Sequence, residues 1–142
     1  KLILSLMLLV IIIPVSADDH SDFLNLEKRQ GDSTFRVTSI HFGDELTTIT
    51  ATGDMGEYGK VYASFDLSYE GSNRSRGQVT GQGRGVSGGE MIAGEFAGRW
   101  FRDGDIVVMR HVVQLSDGSQ NLDLVTLRVA DNEMDVEVYV LK

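Results

Sequence analysis

Apolar and polar residues alternate with a period of two along most of the chain from Thr34 onward. This period is typical of half-buried β-strands, and no segment after residue 33 carries the period of a helix. The clearest example is KVYASFDLSYE, where the apolar set from Val61 to Tyr69 alternates with a mostly polar set. The alternation predicts eight strands, near residues 34–42, 45–52, 59–70, 77–86, 91–101, 105–115, 121–129 and 133–141.

The spacing of these segments predicts how the strands are connected. Even lengths, short turns and no room for crossover helices indicate an antiparallel up-and-down sheet, and eight such strands commonly close into a barrel. The predicted fold class is therefore all-β, with one eight-stranded antiparallel up-and-down β-barrel over residues 34–142. A two-sheet sandwich is the alternative.

The first segment of the chain has a different character. Residues 1–17 contain an apolar run from Leu2 to Ile13 and end in small residues up to Ala17, which is typical of a signal peptide. A membrane anchor is the alternative, but about 20 apolar residues are needed to span a bilayer, and this run is shorter. We therefore expect an exported protein, periplasmic or extracellular, without membrane contact after cleavage. A polar tail, residues 18–33, would precede the barrel.

Composition excludes several kinds of chemistry. The chain has 142 residues, a net charge of −8 and no cysteine. An acidic chain without a basic stripe repels phosphate backbones, which argues against a nucleic-acid partner. Disulfides and thiolate chemistry are excluded, and no cofactor or catalytic constellation can be assigned.

Two short motifs are conditional on processing. The three histidines have no metal-like spacing, but cleavage after Ala17 would create an N-terminal Asp18-Asp19-His20 site suited to Cu(II) or Ni(II). The triplet Asn73-Arg74-Ser75 is a glycosylation acceptor, which has meaning only in a eukaryotic secretory pathway.

The glycine-rich stretch over residues 77–100 contains GxGxxG at Gly83, Gly85 and Gly88. In a dinucleotide-binding loop the third glycine starts a helix that meets the pyrophosphate. Here the strand period continues past Gly88, so a phosphate-binding loop is excluded. Glycines in barrel strands mark bends, bulges or positions covered by an aromatic ring.

Three turns predict the register, because counting outward from a two-residue hairpin pairs the strands. They are Asp103-Gly104, Asp117-Gly118 and Asp131-Asn132. The count around the last turn places one apolar set in the interior, namely Val125, Leu127, Val129, Met134, Val136 and Val138. Continued through the other two turns, the interior takes Ile106, Val108, Arg110 and Val112, then Ala93, Glu95, Ala97, Arg99 and Phe101. Around Gly88-Gly89 it takes Gln78, Thr80, Gln82 and Arg84, with Gly77 opposite Trp100 and Gly81 opposite Phe96 on the outside.

This register predicts four ligand-binding residues in the lumen: Gln82, Glu95, Arg99 and Arg110. Glu95 and Arg110 would lie diagonally, about 7–8 Å apart, and a buried ion pair that only fixes register is the structural alternative. A bulge in one hairpin would invert the faces. Phe96, Trp100, Met109 and His111 would then point inward, and the charges would be exposed.

The stretch from Gly59 to Gly118, with GKVYASFDLSYEG, GQGRG, GEFAGRWFRDGD and VVMRHVVQLSDG, resembles the small allene oxide cyclase-like barrels and related bacterial domains. The resemblance covers about half of the chain that follows the predicted signal peptide. It implies an eight-stranded barrel, often oligomeric, with an apolar cavity and a few polar groups that orient a ligand. It assigns no catalytic residue.

Three functions are compatible with these expectations. The first is an exported barrel that binds a small amphipathic or apolar molecule in its lumen. The second is a cofactor-free cyclase or isomerase, with Glu95 as general acid or base and Arg110 stabilising negative charge. The third is a structural barrel with a solid core that forms a homo-oligomer through Phe96, Trp100 and Tyr139.

Overall fold

The computed structural model describes residues 26–142. They form one closed antiparallel barrel in which each strand pairs with its neighbour in sequence and β1 pairs with β8. The strands are β1 Ser33–Phe42, β2 Leu46–Asp54, β3 Lys60–Ser68, β4 Arg76–Ser87, β5 Glu90–Asp103, β6 Ile106–Leu115, β7 Gln120–Arg128 and β8 Glu133–Val140. The prediction of an eight-stranded barrel is confirmed, and the sandwich alternative is wrong because the sheet closes on itself. The predicted signal peptide and the Asp18-Asp19-His20 motif lie outside the described residues.

Alternation along each strand produces the core. In β3, Val61, Phe65 and Leu67 are buried whereas Tyr62 is exposed, as the period of two predicts. The other strands contribute every second side chain in the same way, except that a register shift between Val37 and Ser39 interrupts the alternation in β1, and the core fills the inside of the barrel. One 3-10 helix, Gly56–Tyr58, interrupts the connection from β2 to β3 and buries Tyr58. Within the described part of the chain, no helix is long and apolar enough to cross a membrane.

Part of the predicted polar tail belongs to the barrel. Lys28 forms a bridge with Tyr139, the Arg29 amide donates to the Val138 carbonyl at 2.9 Å, and the Val140 amide donates to the Glu27 carbonyl at 2.9 Å. These bonds extend the β1–β8 seam beyond Ser33, where β1 begins. Residues 27–29 therefore help to close one end of the barrel.

The β7–β8 interior is confirmed. Leu127 pairs with Met134 and Val125 pairs with Val136, and all four side chains are buried. The predicted turn at Asp131-Asn132 places each pair two residues away from the observed one. A shift of two leaves every side chain on its predicted face, because side chains alternate with a period of two. The turn at Asp103-Gly104 shows the same kind of shift, since Asp103 pairs with Ile106.

The predicted pairing of β6 with β7 across the Asp117-Gly118 turn is wrong by one residue. Gln114 pairs with Gln120, and the Leu115 amide donates to the Ser119 carbonyl at 3.0 Å, so three residues, 116–118, lie between the last paired positions instead of two. Gly118 has a φ of 88°, and Asp117 accepts hydrogen bonds from the Ser119 amide and hydroxyl at 2.9 and 2.7 Å. A three-residue hairpin loop with glycine in the left-handed region has this geometry. A shift of one residue exchanges the two faces of every strand counted from it.

The predicted interior of β4, β5 and β6 is consequently wrong. The observed interior is the alternative set, with Phe96, Trp100, Met109 and His111 buried. The predicted set lies on the outer wall, exposed or half-buried: Ile106, Val108, Arg110, Val112, Ala93, Glu95, Ala97, Arg99, Phe101, Gln78, Thr80, Gln82 and Arg84. The predicted oligomer face also loses Phe96 and Trp100, since both rings lie inside the barrel.

The β4–β5 glycines make room for two interior rings. Gly77 pairs with Trp100 and Gly81 pairs with Phe96, as predicted, but these pairs face inward. A side chain at Gly81 would overlap the Phe96 ring and the Ser64 carbonyl, and one at Gly77 would overlap the Ser68 carbonyl. The glycine-rich stretch is thus a packing feature of a hairpin.

Candidate functional site

The lumen is divided into two recesses by a layer of packed side chains. Val79, Met109 and Met134 are fully buried and line neither recess; we call them the central layer. On one side, the recess reaches the loops that join β1 to β2, β3 to β4, β5 to β6 and β7 to β8. On the other side, a smaller cavity lies under the 3-10 helix and the N-terminal segment.

The larger recess, which we call the open mouth, has a volume of about 520 Å³. Its wall is mostly apolar, and its side chains come from both the core and the loops. They are Ile40, Phe42, Thr47, Ile49, Leu67, Tyr69, Arg74, Trp100, Arg102, Asp105, Val107, Leu127 and Val129, with Gly104 completing the lining. Phe42 is 75% exposed at its edge. Pockets of about 300–1,000 Å³ with apolar walls and few polar groups are typical of small-molecule sites.

Two guanidinium groups lie in the wall of the open mouth. The Arg74 guanidinium carbon is 5.0 Å from the centre of the Tyr69 ring, and the Arg102 Nη1 donates to the Gly104 carbonyl at 3.2 Å. Among the described residues, neither arginine forms an ion pair, and Asp105 is the one carboxylate in the lining. Their charges are therefore available to an anion.

The floor of the open mouth is aromatic and held in place. Tyr69 and Trp100 meet edge to face with ring centres 6.3 Å apart. The Trp100 indole nitrogen donates to the Ser68 carbonyl at 2.9 Å, so its one polar atom is satisfied inside the wall. The Tyr69 hydroxyl is hydrogen-bonded to the Thr47 hydroxyl at 2.5 Å, so the polar atoms of both rings are satisfied within the wall.

The smaller recess, which we call the closed cavity, has a volume of about 70 Å³. Most of its lining is apolar and aromatic, including Phe35, Val61, Phe65, Ile92, Phe96, Val113, Val125 and Val136. Four buried polar side chains also line it, namely Tyr58, His111, Asn121 and Asp123, together with the half-buried residue Arg84. A buried polar group costs free energy unless it finds a hydrogen-bond partner, so each of the four needs an account.

His111 and Asp123 are cross-strand partners on β6 and β7. The imidazole Nε2 lies 3.7 Å from the Asp123 Oδ2, too far for a hydrogen bond, although the side chains are 2% and 9% exposed. The imidazole stacks on Phe96, with ring centres 4.3 Å apart, and meets Phe65 at its edge. His111 Nδ1 and Asp123 Oδ1 are buried without any hydrogen-bond partner among residues 26–142.

Asn121 and Tyr58, in the wall of the cavity, are satisfied by a chain of hydrogen bonds that begins at Arg29. Arg29 Nε donates to Asn121 Oδ1 at 2.6 Å, and Asn121 Nδ2 donates to the Tyr58 hydroxyl at 3.1 Å. Arg29 also lies 3.6 Å from the carboxylate of Glu57 on the 3-10 helix. Burial raises the pKa of Tyr58, which keeps its hydroxyl neutral. Together Arg29, Asn121 and Tyr58 form a lid.

The four ligand residues predicted from the sequence are on the outer wall. Gln82 and Glu95 pair across β4 and β5, and both are exposed. Arg110 lies over the Phe101 ring at 5.7 Å, and among the described ion pairs none joins Glu95 to Arg110. The prediction that these groups face the lumen is wrong, because the odd-numbered β6–β7 loop exchanged the faces. The isomerase hypothesis required Glu95 and Arg110 to line a cavity, and both side chains lie on the outer wall instead.

Arg99 has a structural partner instead of a ligand. Its two terminal nitrogens donate to the two carboxylate oxygens of Glu70, both at 2.6 Å. The hydrogen bonds from Arg99 hold the pKa of Glu70 below its usual value. This exposed pair links β5 to the β3–β4 loop on the outside of the barrel.

The sequence contained a signal for part of the observed site. Asp123 was not among the predicted interior residues, but it is two residues from Val125 on the correctly predicted interior face of β7, so the same count, continued by one step, would have placed it inside. His111 belonged to the alternative, inverted set. Arg74 and Arg102 carried no pattern, because only loop geometry brings them to one mouth.

The described residues contain no candidate metal centre. No group of three or more histidine, aspartate or glutamate side chains in residues 26–142 could hold a metal ion. No family model, curated protein or solved structure matches this chain. The site must therefore be interpreted from its own geometry.

Proposed function

We propose that this protein binds a small amphipathic molecule with an anionic head group in the open mouth. The observation that carries the proposal is a recess of about 520 Å³ whose wall is apolar and whose polar groups are mainly two arginines without ion-pair partners among the described residues. An aliphatic or aromatic body would lie against the floor, and a carboxylate or similar head would lie between Arg74 and Arg102.

The proposed affinity for an amphipathic molecule rests on the contrast between the apolar interior of the recess and the two charged arginines at its edge. Removing apolar ligand surface from water contributes about 25 cal/mol per Å². The arginines add direction, since a guanidinium donates charge-assisted hydrogen bonds to a carboxylate in a fixed geometry. Asp105 opposes anions weakly at the same edge, so two positive charges face one negative charge.

This function retains the lumen-binding hypothesis but assigns it to different residues. Arg74 and Arg102 take the orienting role that the sequence assigned to Glu95 and Arg110. Export and the allene oxide cyclase-like relationship remain predictions, and the binding proposal depends on neither.

Isothermal titration with decanoate and with decanol tests the proposal, since the two probes share an apolar body and differ in head group. We expect decanoate to bind the wild-type protein more tightly than decanol. The double variant Arg74→Gln/Arg102→Gln should weaken decanoate binding by at least about tenfold, or about 1.4 kcal/mol, and leave decanol nearly unchanged. Arg110→Gln is the matched control, because it removes one outer-wall arginine and should change neither affinity.

A second variant tests the recess itself. Val129→Trp places a large ring at the half-buried edge of the open mouth and should weaken both probes. Failure of both probes to bind the wild-type protein would overturn the proposed function. Equal binding of decanoate to wild-type and double-variant proteins would overturn the role of the arginines.

A further inference from the structure

The closed cavity has no part in the proposed function, because the central layer separates it from the open mouth. It nevertheless contains an energetically unfavourable feature, two buried polar atoms without hydrogen bonds in the described part of the chain. His111 Nδ1 and Asp123 Oδ1 are both buried and both lack a partner. Leaving a buried donor or acceptor unsatisfied costs about 1–3 kcal/mol, and such groups are rare in native proteins.

Other polar groups at the same cavity are hydrogen-bonded, in contrast to His111 Nδ1 and Asp123 Oδ1. Arg29, Asn121 and Tyr58 satisfy one another in the lid, so the fold can provide hydrogen-bond partners at this end of the barrel. The pair beneath the lid has no such partner within reach. In residues 26–142, the third buried side-chain atom without a partner, Gln30 Nε2, belongs to the same end, since Gln30 accepts from the Glu57 amide.

The missing partner must match the chemistry of both atoms. A carboxylate oxygen accepts hydrogen bonds, whereas an imidazole nitrogen either donates or accepts according to its tautomer. A hydroxyl group meets both demands, because it donates one hydrogen bond and accepts others. An ammonium group would fit only the tautomer in which Nδ1 accepts, whereas a hydroxyl fits both tautomers, and a second carboxylate would repel Asp123.

The volume limits the size of the guest. A cavity of about 70 Å³ is smaller than an engineered cavity of about 150 Å³ that binds benzene, and a water molecule occupies about 30 Å³. There is room for about two waters or one small alcohol of up to about four non-hydrogen atoms. The apolar wall around Phe65 and Phe96 suits the carbon part of an alcohol.

We propose that the closed cavity is a second binding site, which holds a small hydroxyl-bearing molecule between Asp123 Oδ1 and His111 Nδ1. The hydrogen-bonded group of Arg29, Asn121 and Tyr58, which we call the lid, borders this site. The hydroxyl comes from water or from a small alcohol, and the two sources are separated below.

Methyl and amide NMR on the labelled full chain tests the proposal with ethanol and xenon as probes. Ethanol should produce saturable shifts at the cavity methyls of Val125 and Val136 and leave the open-mouth methyls of Val107 and Leu127 unaffected. Xenon makes no hydrogen bonds and enters only cavities that are empty and apolar. Because we propose that a hydroxyl-bearing molecule occupies this cavity, xenon should leave the cavity methyls unchanged.

Asp123→Leu removes the acceptor at similar volume and should lower the ethanol affinity at least about tenfold while admitting xenon. Glu95→Gln is the matched control, since it neutralises an outer-wall carboxylate beside the cavity residue Gly94 and should change neither result.

A high-resolution crystal structure of the wild-type protein separates the two sources. Ordered solvent bonded to both Asp123 and His111, without saturable ethanol shifts, would assign the site to water. Saturable shifts would assign it to a small alcohol. An empty cavity that admits xenon in the wild-type protein would overturn the proposal, as would an imidazole hydrogen-bonded directly to Asp123. These wild-type results decide the matter even where Asp123→Leu fails to fold, and they leave the decanoate test at the open mouth untouched.

Discussion

The two ends of the barrel handle polar groups in opposite ways. At the open mouth, Arg74 and Arg102 lie at the edge of an apolar recess, where water satisfies them in the absence of a ligand. At the closed end, the His111 and Asp123 side chains are only 2% and 9% exposed and form no hydrogen bond to each other. A polar side chain therefore has little desolvation penalty at the open mouth and a large one at the closed end, because only the first is exposed to water.

Exposed ion pairs occur at both ends of the barrel, and at the closed end Lys28 meets Asp32 and Glu137 on the surface. Arg128 near the open mouth meets Asp131, Glu133 and Asp135 around the β7–β8 turn, and all of these groups are partly exposed. Exposed ion pairs contribute about 0–1 kcal/mol each, so they order the loop more than they stabilise the fold. At the closed end, Arg29 supports a buried amide and closes a cavity.

Truncation of the central layer should have the largest effect, because this layer keeps the two ends apart. Met109→Ala removes a fully buried side chain and should lower the free energy of unfolding by about 2–5 kcal/mol. Met91→Ala is the matched control, since Met91 is 67% exposed and should change stability by less than about 0.5 kcal/mol. Urea unfolding of both variants provides the comparison. Similar losses in the two variants would contradict the assignment of Met109 to the interior.

A double-mutant cycle at the closed end should show the next largest effect. If a hydroxyl-bearing guest bridges the two groups, Asp123→Leu and His111→Leu each release that guest and leave the other polar group unsatisfied, so each should destabilise the protein by about 1–3 kcal/mol. The double variant should lose less than the sum of the single losses, because it removes both polar groups together.

Arg102→Leu at the open mouth is the control for this cycle and should remain within about 0.5 kcal/mol of the wild type. Chemical denaturation gives all four free energies. Strict additivity of the two closed-end substitutions would show that His111 and Asp123 do not share one environment.

Acid pH should produce the smallest effect, at the open-mouth end. The hydrogen bond from Arg128 holds the pKa of Asp135 below its usual value. A carboxylate with a lowered folded-state pKa stabilises the protein above the ordinary value of about 3.9, and this stabilisation is lost as the pH falls below that value.

Asp135→Asn should therefore be less stable than the wild type near neutral pH, with the difference shrinking as the pH falls below about 4. Thermal unfolding between neutral and strongly acidic pH measures it, and repetition at about 1 M salt should reduce the difference by screening. Parallel stability curves for the two proteins across the acid range would contradict the role of Arg128.

How far the sequence predicted this barrel depends on the length of single loops. The β5–β6 and β7–β8 pairings were displaced by two residues, and their relative faces survived. The β6–β7 pairing was displaced by one, and the four predicted ligand residues moved from the lumen to the outer wall. The Ser116-Asp117-Gly118 sequence is compatible with a two-residue or a three-residue loop, so the turn alone could not decide.

The strand composition could not correct that error. β6 reads IVVMRHVVQL, in which Ile106, Val108 and Val112 offer one apolar face and Val107, Met109 and Val113 offer another. A hydrophobic pattern identifies the buried face only when the other face is polar. In β3 the second face is mostly polar, and there the prediction is confirmed.

The amino-acid sequence by itself determined the all-β fold class, the eight strands, the interior of β7 and β8, and the packing role of the glycines, because the period of two and the turn residues act locally. Only the tertiary structure decided which face of β4, β5 and β6 is buried, and which polar groups meet at each end of the barrel. The physical reason is that barrel closure couples all eight strands: one loop residue inverts three strands, and contacts such as His111 with Asp123 exist only after every register is set.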